Sequence, residues 1–323
     1  LCSNVEELIA TVKSGTSLDT RLLTWLESVP KQQYKILLES GLVNQRVENE
    51  LLKIGPYIEH WLADRLESKK STIVTWKNAQ RNMLEFFGPE KLIRDITIAD
   101  GESFERWLRK HEKLAEATAR KRMQICKQFL SSAIKARIIR ENPFDGCKVA
   151  NRPNPKRQHF VTTEDAQKIM DACSDAEWRC LVALSRYGAL RVPSEPRQLR
   201  WDDVNWSENV LYVHATKTEH HEDDGDRVVP LFPELRAALN EQWEMAAEGE
   251  IYVLPNLRHT TNPLTTLNRI IKRSGVEPFP KAWANMRATR ATELQSHFGD
   301  LLATKWCGHS QRIAKDYYWM QTA

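Results

Sequence analysis

A chain of 323 residues exceeds what one compact core usually spans, so two or three domains are expected. Hydrophobic residues make up 41% and charged residues 28%, which is ordinary for a soluble globular protein and argues against intrinsic disorder. The formal net charge is only +4, so the placement of the basic residues says more about a polyanionic partner than their total.

Cysteine usage and hydropathy exclude further classes. The six cysteines form no C-x-x-C pair and no short-spaced Cys/His set, which predicts reduced thiols, no disulfide framework and no metal site. The longest apolar run, in RCLVALSRYGALRV, is too short and too polar to cross a membrane, and no signal peptide is recognisable. We therefore expect a cytoplasmic protein that does not insert into membranes.

The first 146 residues have the periodicity of helices. Residues 1–48 contain short amphipathic segments such as LDTRLLTWLESV, which predict a helical N-terminal extension without chemistry of its own. Residues 49–146 continue with longer segments and predict a separate helical domain. In one of them, KKSTIVTWKNAQRNMLEFFG, we expect Ser71 or Thr72 to be the N-cap and Gly88 to end the helix.

Basic residues cluster in the last helix of this domain and in the segment after it. The helix contains EATARKRMQICKQFL, and residues 147–158, CKVANRPNPKRQ, have the composition of an extended basic linker. Such a run of charges is most often a solvated face, although it also fits a surface that contacts phosphate groups. The candidate phosphate-contacting residues are Arg120, Lys121, Arg122, Lys127, Arg152, Lys156 and Arg157.

From residue 159 the pattern becomes mixed. Two helical segments, EDAQKIMDAC and WRCLVALSRYGAL, precede three short β-like runs, WDDVNW, VLYVHAT and RVVPLF, after which helices resume. Residues 159–323 thus predict a second domain with a small sheet inserted among helices. The expected fold class is mainly α with a small antiparallel β-sheet (α+β).

Four scattered features of this domain could carry chemistry. Arg191 follows a helix end in YGALRVPSEPRQLRWDDV, and Lys217 lies in a polar hairpin loop. Arg287 lies near the start of a helix, and His309 and Tyr318 share GHSQRIAKDYY. Taken singly, an arginine usually forms a salt bridge, a lysine in a hairpin loop is usually solvated, and a tyrosine near a chain end usually packs in the core. Together they are the parts of metal-free phosphoryl transfer: arginines for phosphate oxygens, a lysine acid and a tyrosine nucleophile.

The order of these motifs resembles the tyrosine recombinase family of phage-type integrases. The chain has, in this order, GALR, SE, LRWDDV and a lysine in TKT. These are followed by RVVPLFPEL, a helix centred on an arginine, and a GH pair. Residues 156–318 resemble the family's catalytic domain. Residues 53–145, closed by NPF, resemble its helical SAM-like core-binding domain.

The resemblance implies a catalytic role for five residues. Arg191 and Arg287 would bind the phosphate together with His309, Lys217 would protonate the leaving oxygen, and Tyr318 would be the nucleophile. The choice of tyrosine follows from the family's register, in which the nucleophile lies nine residues after the histidine.

The neighbouring residues are assigned by the same resemblance. Tyr317 would point about 100° away around a helix and is expected to pack or support. Glu195 lies near the position of the family's acidic buttress. The family usually has histidine three residues before its second arginine, where this chain has Ala284. Asn285, or a histidine of the lysine loop (His220 or His221), could take over that role, although all three are more readily surface residues.

The resemblance implies a site-specific DNA recombinase or integrase that cleaves and rejoins DNA through a 3′-phosphotyrosyl intermediate, with no metal, ATP or other cofactor. Its partner would be double-stranded DNA, with a tetramer on paired sites and a monomer in solution. Two alternatives stay open. One is a catalytically impaired DNA-binding regulator on the same fold, because of Ala284, and the other is type IB topoisomerase-like strand relaxation.

Overall fold

Helices dominate the structure, a computed structural model that describes residues 2–14, 18–43, 52–147, 155–214, 226–260 and 262–320. The predicted fold class, mainly α with a small antiparallel sheet, is confirmed. The chain divides into two compact units, Leu1–Arg152 and Pro153–Ala323, and each has its own hydrophobic core. Within the described ranges, no helix combines the length and the apolar character that crossing a bilayer requires.

The first unit is helical throughout its described part. Four helices between residues 54 and 135 enclose a core that includes Met83, Phe104 and Phe129, and the rings of Trp61 and Phe129 meet edge to face with centroids 4.8 Å apart. The helices are α1 (Cys2–Ser14), α2 (Thr20–Ser28), α3 (Lys31–Glu39), α4 (Ile54–Ala63), α5 (Lys70–Phe87), α6 (Ile98–Lys110) and α7 (Glu116–Lys135).

The boundaries of α5 test the local sequence signals. The predicted stop is confirmed, because Gly88 follows the helix with a φ of 79°, which favours glycine. The predicted N-cap is wrong, since α5 begins at Lys70 and both Ser71 and Thr72 lie inside it. The backbone N–H of Thr72 already donates to the carbonyl of Lys69 at 2.8 Å, which places the first helical hydrogen bond earlier than either hydroxyl residue.

The second unit combines helices with a three-stranded antiparallel sheet, whose strands are neighbours in the order in which they occur along the chain. Only part of the predicted β run WDDVNW is a strand. Its first three residues, Trp201–Asp203, form a 3-10 turn, and the strand comprises Val204–Asn205. The elements are α8 (Thr163–Asp171), α9 (Ala176–Arg186), β1 (Val204–Asn205), β2 (Val210–Val213), β3 (Arg227–Pro230), α10 (Pro233–Glu244), α11 (Pro263–Arg273), α12 (Ala282–Cys307) and α13 (Gln311–Tyr317).

Helix α9 is the centre of this unit, since α8, α10 and α12 all pack against it and nearly its whole length is buried. Arg186 at its end has a fully buried side chain and donates two hydrogen bonds to Glu293 of α12, one of them at 2.9 Å. This pair fixes the end of α9 against the middle of α12. Helix α12 itself is interrupted at Gly299, where φ is 78°.

Candidate active site

A buried carboxylate, Glu195, lies at the centre of the candidate site. Both of its oxygens accept hydrogen bonds from the Arg227 guanidinium, at 3.0 and 2.6 Å. Arg191 adds its guanidinium at 2.6 Å and its backbone N–H at 2.7 Å, and a terminal nitrogen of Arg287 lies 3.8 Å from the carboxylate. One acidic side chain therefore gathers arginines from the turn after α9, from β3 and from α12.

The charges in this cluster do not cancel. Burial by itself would raise the pKa of Glu195, but the hydrogen bond and charge of Arg227, together with the charges of Arg287 and Arg191, lower that pKa to about 2. The carboxylate is ionised at neutral pH, and three guanidinium groups against one carboxylate leave a net charge of +2. Such a cluster suits an anion, and the planar fork of arginine matches phosphate oxygens.

The carboxyl-terminal end of α12 is bound by the same arginines. The last carbonyls of a helix lack partners within it and carry the negative end of the helix dipole, so cations are stabilised there. The donor and acceptor pairs are Arg227 with the carbonyl of Trp306 (2.8 Å), Arg287 with that of Cys307, and Arg191 with that of Gly308. These bonds hold the three arginines against the segment that leads to His309 and Tyr318.

Gly308 permits this close approach. It ends α12 in the left-handed conformation with a φ of 64°, and a Cβ atom at this position would lie 2.9 Å from Cδ of Arg227. A larger residue would therefore be strained both by its backbone and by this contact. Ser310 then caps α13 by accepting a hydrogen bond from the backbone N–H of Ile313.

His309 and Tyr318 lie face to face beside the cluster. Their rings stack with centroids 4.7 Å apart and an angle of 17° between planes, and Cζ of Arg287 lies 5.2 Å from the centroid of the tyrosine ring. Both ring nitrogens of His309 are buried and have no hydrogen-bond partner among the described residues. Burial, with the charge of Arg287 second, lowers the pKa of this histidine to about 4. The imidazole is thus neutral at pH 7 and able to bond to a ligand.

The two adjacent tyrosines have different surroundings. Tyr318 packs against a small cluster that includes Ala291, Leu294 and Cys307, whereas Tyr317 is 43% exposed. The structure therefore brings Tyr318 to His309 and Arg287, and it leaves Tyr317 on the surface. A phenol beside a cluster of cationic side chains is a group that can act as an oxygen nucleophile.

Three further residues of the sequence analysis, Lys217, His220 and His221, are outside the described residues. His214, which follows β2, and Asp226, which precedes β3, are joined by a 2.6 Å contact.

The two positions before Arg287 also differ from each other. Ala284 is exposed on α12, one turn before that arginine. Asn285 is buried, and its amide nitrogen donates to the carbonyls of Pro280 (2.6 Å) and Arg157 (3.1 Å). Within the described chain, the hydrogen bonds of Asn285 thus serve the start of α12 and not the arginine cluster.

The basic residues of α7 do not form one common face. Successive residues of a helix point about 100° apart. Of the three consecutive ones, Lys121 is exposed, Arg120 pairs with Glu116, and Arg122 donates to the carbonyl of Thr75 at 3.0 Å.

The remaining candidates for phosphate contact are divided between α7 and the linker. Lys127 lies 2.8 Å from the carboxylate of Asp145. Lys156 and Arg157 are exposed in a 3-10 turn (Pro155–Arg157), and Arg152 lies outside the described residues.

One group in the first unit has the side chains of a metal site. Glu85, His111 and Glu112 bring one ligand atom each within 4.8 Å of one another. The carboxylate of Glu112 already accepts hydrogen bonds from Asn82 at 2.8 Å and from Arg81 at 3.3 Å. One of the three candidate ligands, Glu112, is thus already paired with an arginine.

Two residues of the site received no role from the sequence. Arg227 begins the family-like motif RVVPLFPEL. An arginine at the start of an otherwise apolar strand is the signal that it is buried and paired. Thr292 is buried on α12 and contacts the backbone beside Tyr318. A single threonine in a helix carries no such signal.

Family models match both units of the chain. A model described as phage integrase SAM-like domain matches residues 54–151, and a model described as phage integrase family matches residues 159–319. Together these two matches cover most of the sequence. No curated protein sequence matches the chain.

Several solved structures share the fold. A lambda integrase (75-356) dimer bound to a COC′ core site has 19% identity and a TM-score of 0.64, over 82% of this chain and 98% of that one. A lambda integrase tetramer bound to a Holliday junction has 19% identity and a TM-score of 0.65, over 90% and 88%. The Tn1549 transposon integrase with a circular intermediate DNA has 16% identity and a TM-score of 0.68, over 84% and 96%. At such identities the likeness shows the fold.

Proposed function

This chain belongs to the phage integrase family, whose members are tyrosine recombinases that cleave and join DNA strands, and we propose how its own residues carry out that reaction. In this proposal the reaction proceeds through a covalent bond between Tyr318 and a 3′-phosphate. The observation that carries this proposal is the stacking of Tyr318 on His309 beside three arginines that share one carboxylate. A pocket with a net positive charge binds the phosphodiester, and the phenol lies at its edge.

The proposed chemistry follows from the character of each group. The oxygen of Tyr318 forms a bond to phosphorus and gives up its proton to solvent water, while the bond from phosphorus to the 5′ oxygen breaks and the ammonium group of Lys217 donates a proton to that oxygen. Arg191, Arg287 and the neutral His309 hydrogen-bond the non-bridging oxygens, on which charge accumulates. One phosphoester bond replaces another, so rejoining needs no ATP, and none of these steps requires a metal or another cofactor.

Glu195 and Arg227 act in this proposal by holding the other groups. The carboxylate accepts from Arg191 and Arg227 and lies close to Arg287, so it fixes the directions of the phosphate-binding guanidinium groups. Preorganised donors of this kind stabilise a transition state without having to reorient during the reaction.

Double-stranded DNA is the proposed partner. The lambda and Tn1549 integrases that share this fold are DNA-bound in their structures, and one of them is a tetramer on a Holliday junction. We propose a monomer in solution and a tetramer on paired DNA sites, in the cytoplasm. Residues 49–146 would bind DNA as the core-binding domain, 147–158 would follow the backbone as a basic linker, and 159–323 would catalyse. Residues 1–48 would be an extension.

Substitution of the two tyrosines tests the nucleophile. Incubation with a nicked duplex that carries the junction sequence flanking the gene should trap a covalent protein–DNA species, which denaturing electrophoresis detects. Tyr318→Phe should abolish this species and leave DNA binding intact, because only the hydroxyl is lost. Tyr317→Phe is the matched control and should retain it.

Mass spectrometry of the adduct then identifies the attached residue. An adduct on Tyr317 would contradict the assignment of Tyr318. A wild-type chain that binds DNA but forms no adduct would instead favour a DNA-binding regulator with an impaired site, of which Ala284 is the sequence feature.

A further inference from the structure

The hydroxyl of Thr292 is buried against the backbone of the segment that carries Tyr318. Its Oγ1 accepts the backbone N–H of Met320 at 3.0 Å and lies 3.2 Å from the carbonyl oxygen of Tyr318. The carbonyl of Ala288, one helical turn earlier, lies 2.9 Å away as a second acceptor. A threonine hydroxyl has one proton and two lone pairs, so it can accept from Met320 while it donates to one of these carbonyls.

This contact is the hydrogen-bonded link between the last described residues and α12, beside the packing of the Tyr318 ring on that helix. The backbone N–H groups of Tyr318 and Trp319 both donate to the carbonyl of Ala314, inside their own short helix. The hydrogen bonds that the described residues 318–320 make to α12 all use the hydroxyl of Thr292. A methyl group at this place would leave the N–H of Met320 without this partner in a partly buried position.

The same helix carries a phosphate-binding arginine. Arg287 precedes Thr292 by five residues, which corresponds to about 7.5 Å along a helix axis. Both side chains are buried, and the interruption of α12 at Gly299 comes after them. The intervening stretch is thus a continuous helix that connects the arginine with the backbone beside the tyrosine.

We infer that Thr292 is a positioning residue, whose hydroxyl holds Tyr318 at the distance from the Arg287-bound phosphate that strand cleavage requires. The inference rests on the proposed function, in which Tyr318 is the nucleophile. A nucleophile at the end of a short terminal helix needs a tether to the phosphate-binding element, since a misplacement of about 1 Å can slow a reaction by about a hundredfold.

Thr292→Val tests the hydroxyl, because valine keeps the shape of threonine and removes its hydrogen bonds. Single-turnover formation of the covalent adduct on the nicked substrate should slow by about tenfold to a hundredfold, with unchanged affinity for duplex DNA. Thr292→Ser should restore most of the rate, because serine returns the hydroxyl. If Thr292→Ser stays as slow as Thr292→Val, the hydroxyl is not the cause and the inference fails.

Thr289→Val is the matched control on the same helix. Thr289 is fully buried, and its hydroxyl accepts the backbone N–H of Val161 at 2.9 Å, away from the segment of the tyrosine. Its substitution should lower stability without slowing adduct formation. Equal slowing in both valine variants would mean that general destabilisation is responsible, which would overturn the positioning role.

A second measurement does not depend on catalysis. Chymotrypsin cleaves after aromatic residues, so it can cut the segment Tyr317–Trp319 when that segment detaches from α12. Loss of one hydrogen bond makes detachment more frequent, so cleavage should be several-fold faster in Thr292→Val than in Thr289→Val or the wild type. Equal cutting would overturn the tether. A wild-type chain without an adduct would overturn the proposed function and the positioning role with it, whereas a normal rate in Thr292→Val would overturn the positioning role alone.

Discussion

Replacing Glu195 by glutamine removes the negative charge that holds three arginines together and keeps the shape of the side chain. The pKa of this carboxyl is lowered from 4.5 to about 2, which corresponds to about 3 kcal/mol of stabilisation of the ionised form. Breaking a buried ion pair by removing one partner usually costs about 3–5 kcal/mol. The figure from the pKa and the usual cost of breaking a buried ion pair agree. Glu195→Gln should therefore lower the free energy of unfolding by about 3 kcal/mol at neutral pH.

The effect should depend on pH in a direction that the lowered pKa determines. A carboxyl whose pKa is lower in the folded than in the unfolded state stabilises the fold above the unfolded value, and this contribution is lost as the pH falls towards the folded value. The difference between wild type and Glu195→Gln should therefore be constant above pH 4.5 and should shrink as the pH falls from there towards 2.

Urea denaturation of the full chain, followed by circular dichroism at several pH values, measures this difference. Glu241→Gln is the matched control, since Glu241 also receives bidentate hydrogen bonds from an arginine, Arg179, but the pair is 42% and 28% exposed. Its substitution should cost less than about 1 kcal/mol. A loss for Glu195→Gln as small as that of the control, or a loss that does not change with pH, would refute the reasoning.

Three other predictions follow from the site. Lys217→Ala should slow cleavage of ordinary DNA by about a hundredfold or more. It should spare a substrate with a 5′-bridging phosphorothiolate, because the sulfur of that substrate leaves without a proton. Equal losses on both substrates would exclude the role of Lys217 as general acid. The pKa of His309 is lowered from 6.5 to about 4, so the free energy of unfolding should fall as the pH drops through that window, and His309→Gln should flatten the fall measured by denaturation. Gly308→Ala should lower stability against thermal unfolding more than Gly249→Ala does. Both glycines have positive φ, but only at Gly308 would the added Cβ lie 2.9 Å from Arg227. Equal losses would contradict the close contact.

Local patterns in the sequence determined the helical architecture and the mixed second domain. Apolar periodicity is a property of neighbouring residues, and a glycine such as Gly88 ends a helix through its own backbone freedom. The same signals failed at Ser71 and Thr72, where the first helical hydrogen bond formed earlier, and in WDDVNW, where half of the run became a 3-10 turn. Boundaries depend on competing contacts that a local pattern does not contain.

The sequence by itself determined which family the chain belongs to and which residues to examine. The nine-residue spacing from His309 selected Tyr318, whose ring indeed lies against that histidine, while its role as nucleophile stays a prediction. The tertiary structure alone decided how the groups are held. Arg227 binds Glu195 across 32 residues and the carbonyl of Trp306 across 79. Such pairings, like the burial that keeps His309 neutral, arise when distant segments pack together, and no spacing along the chain encodes them.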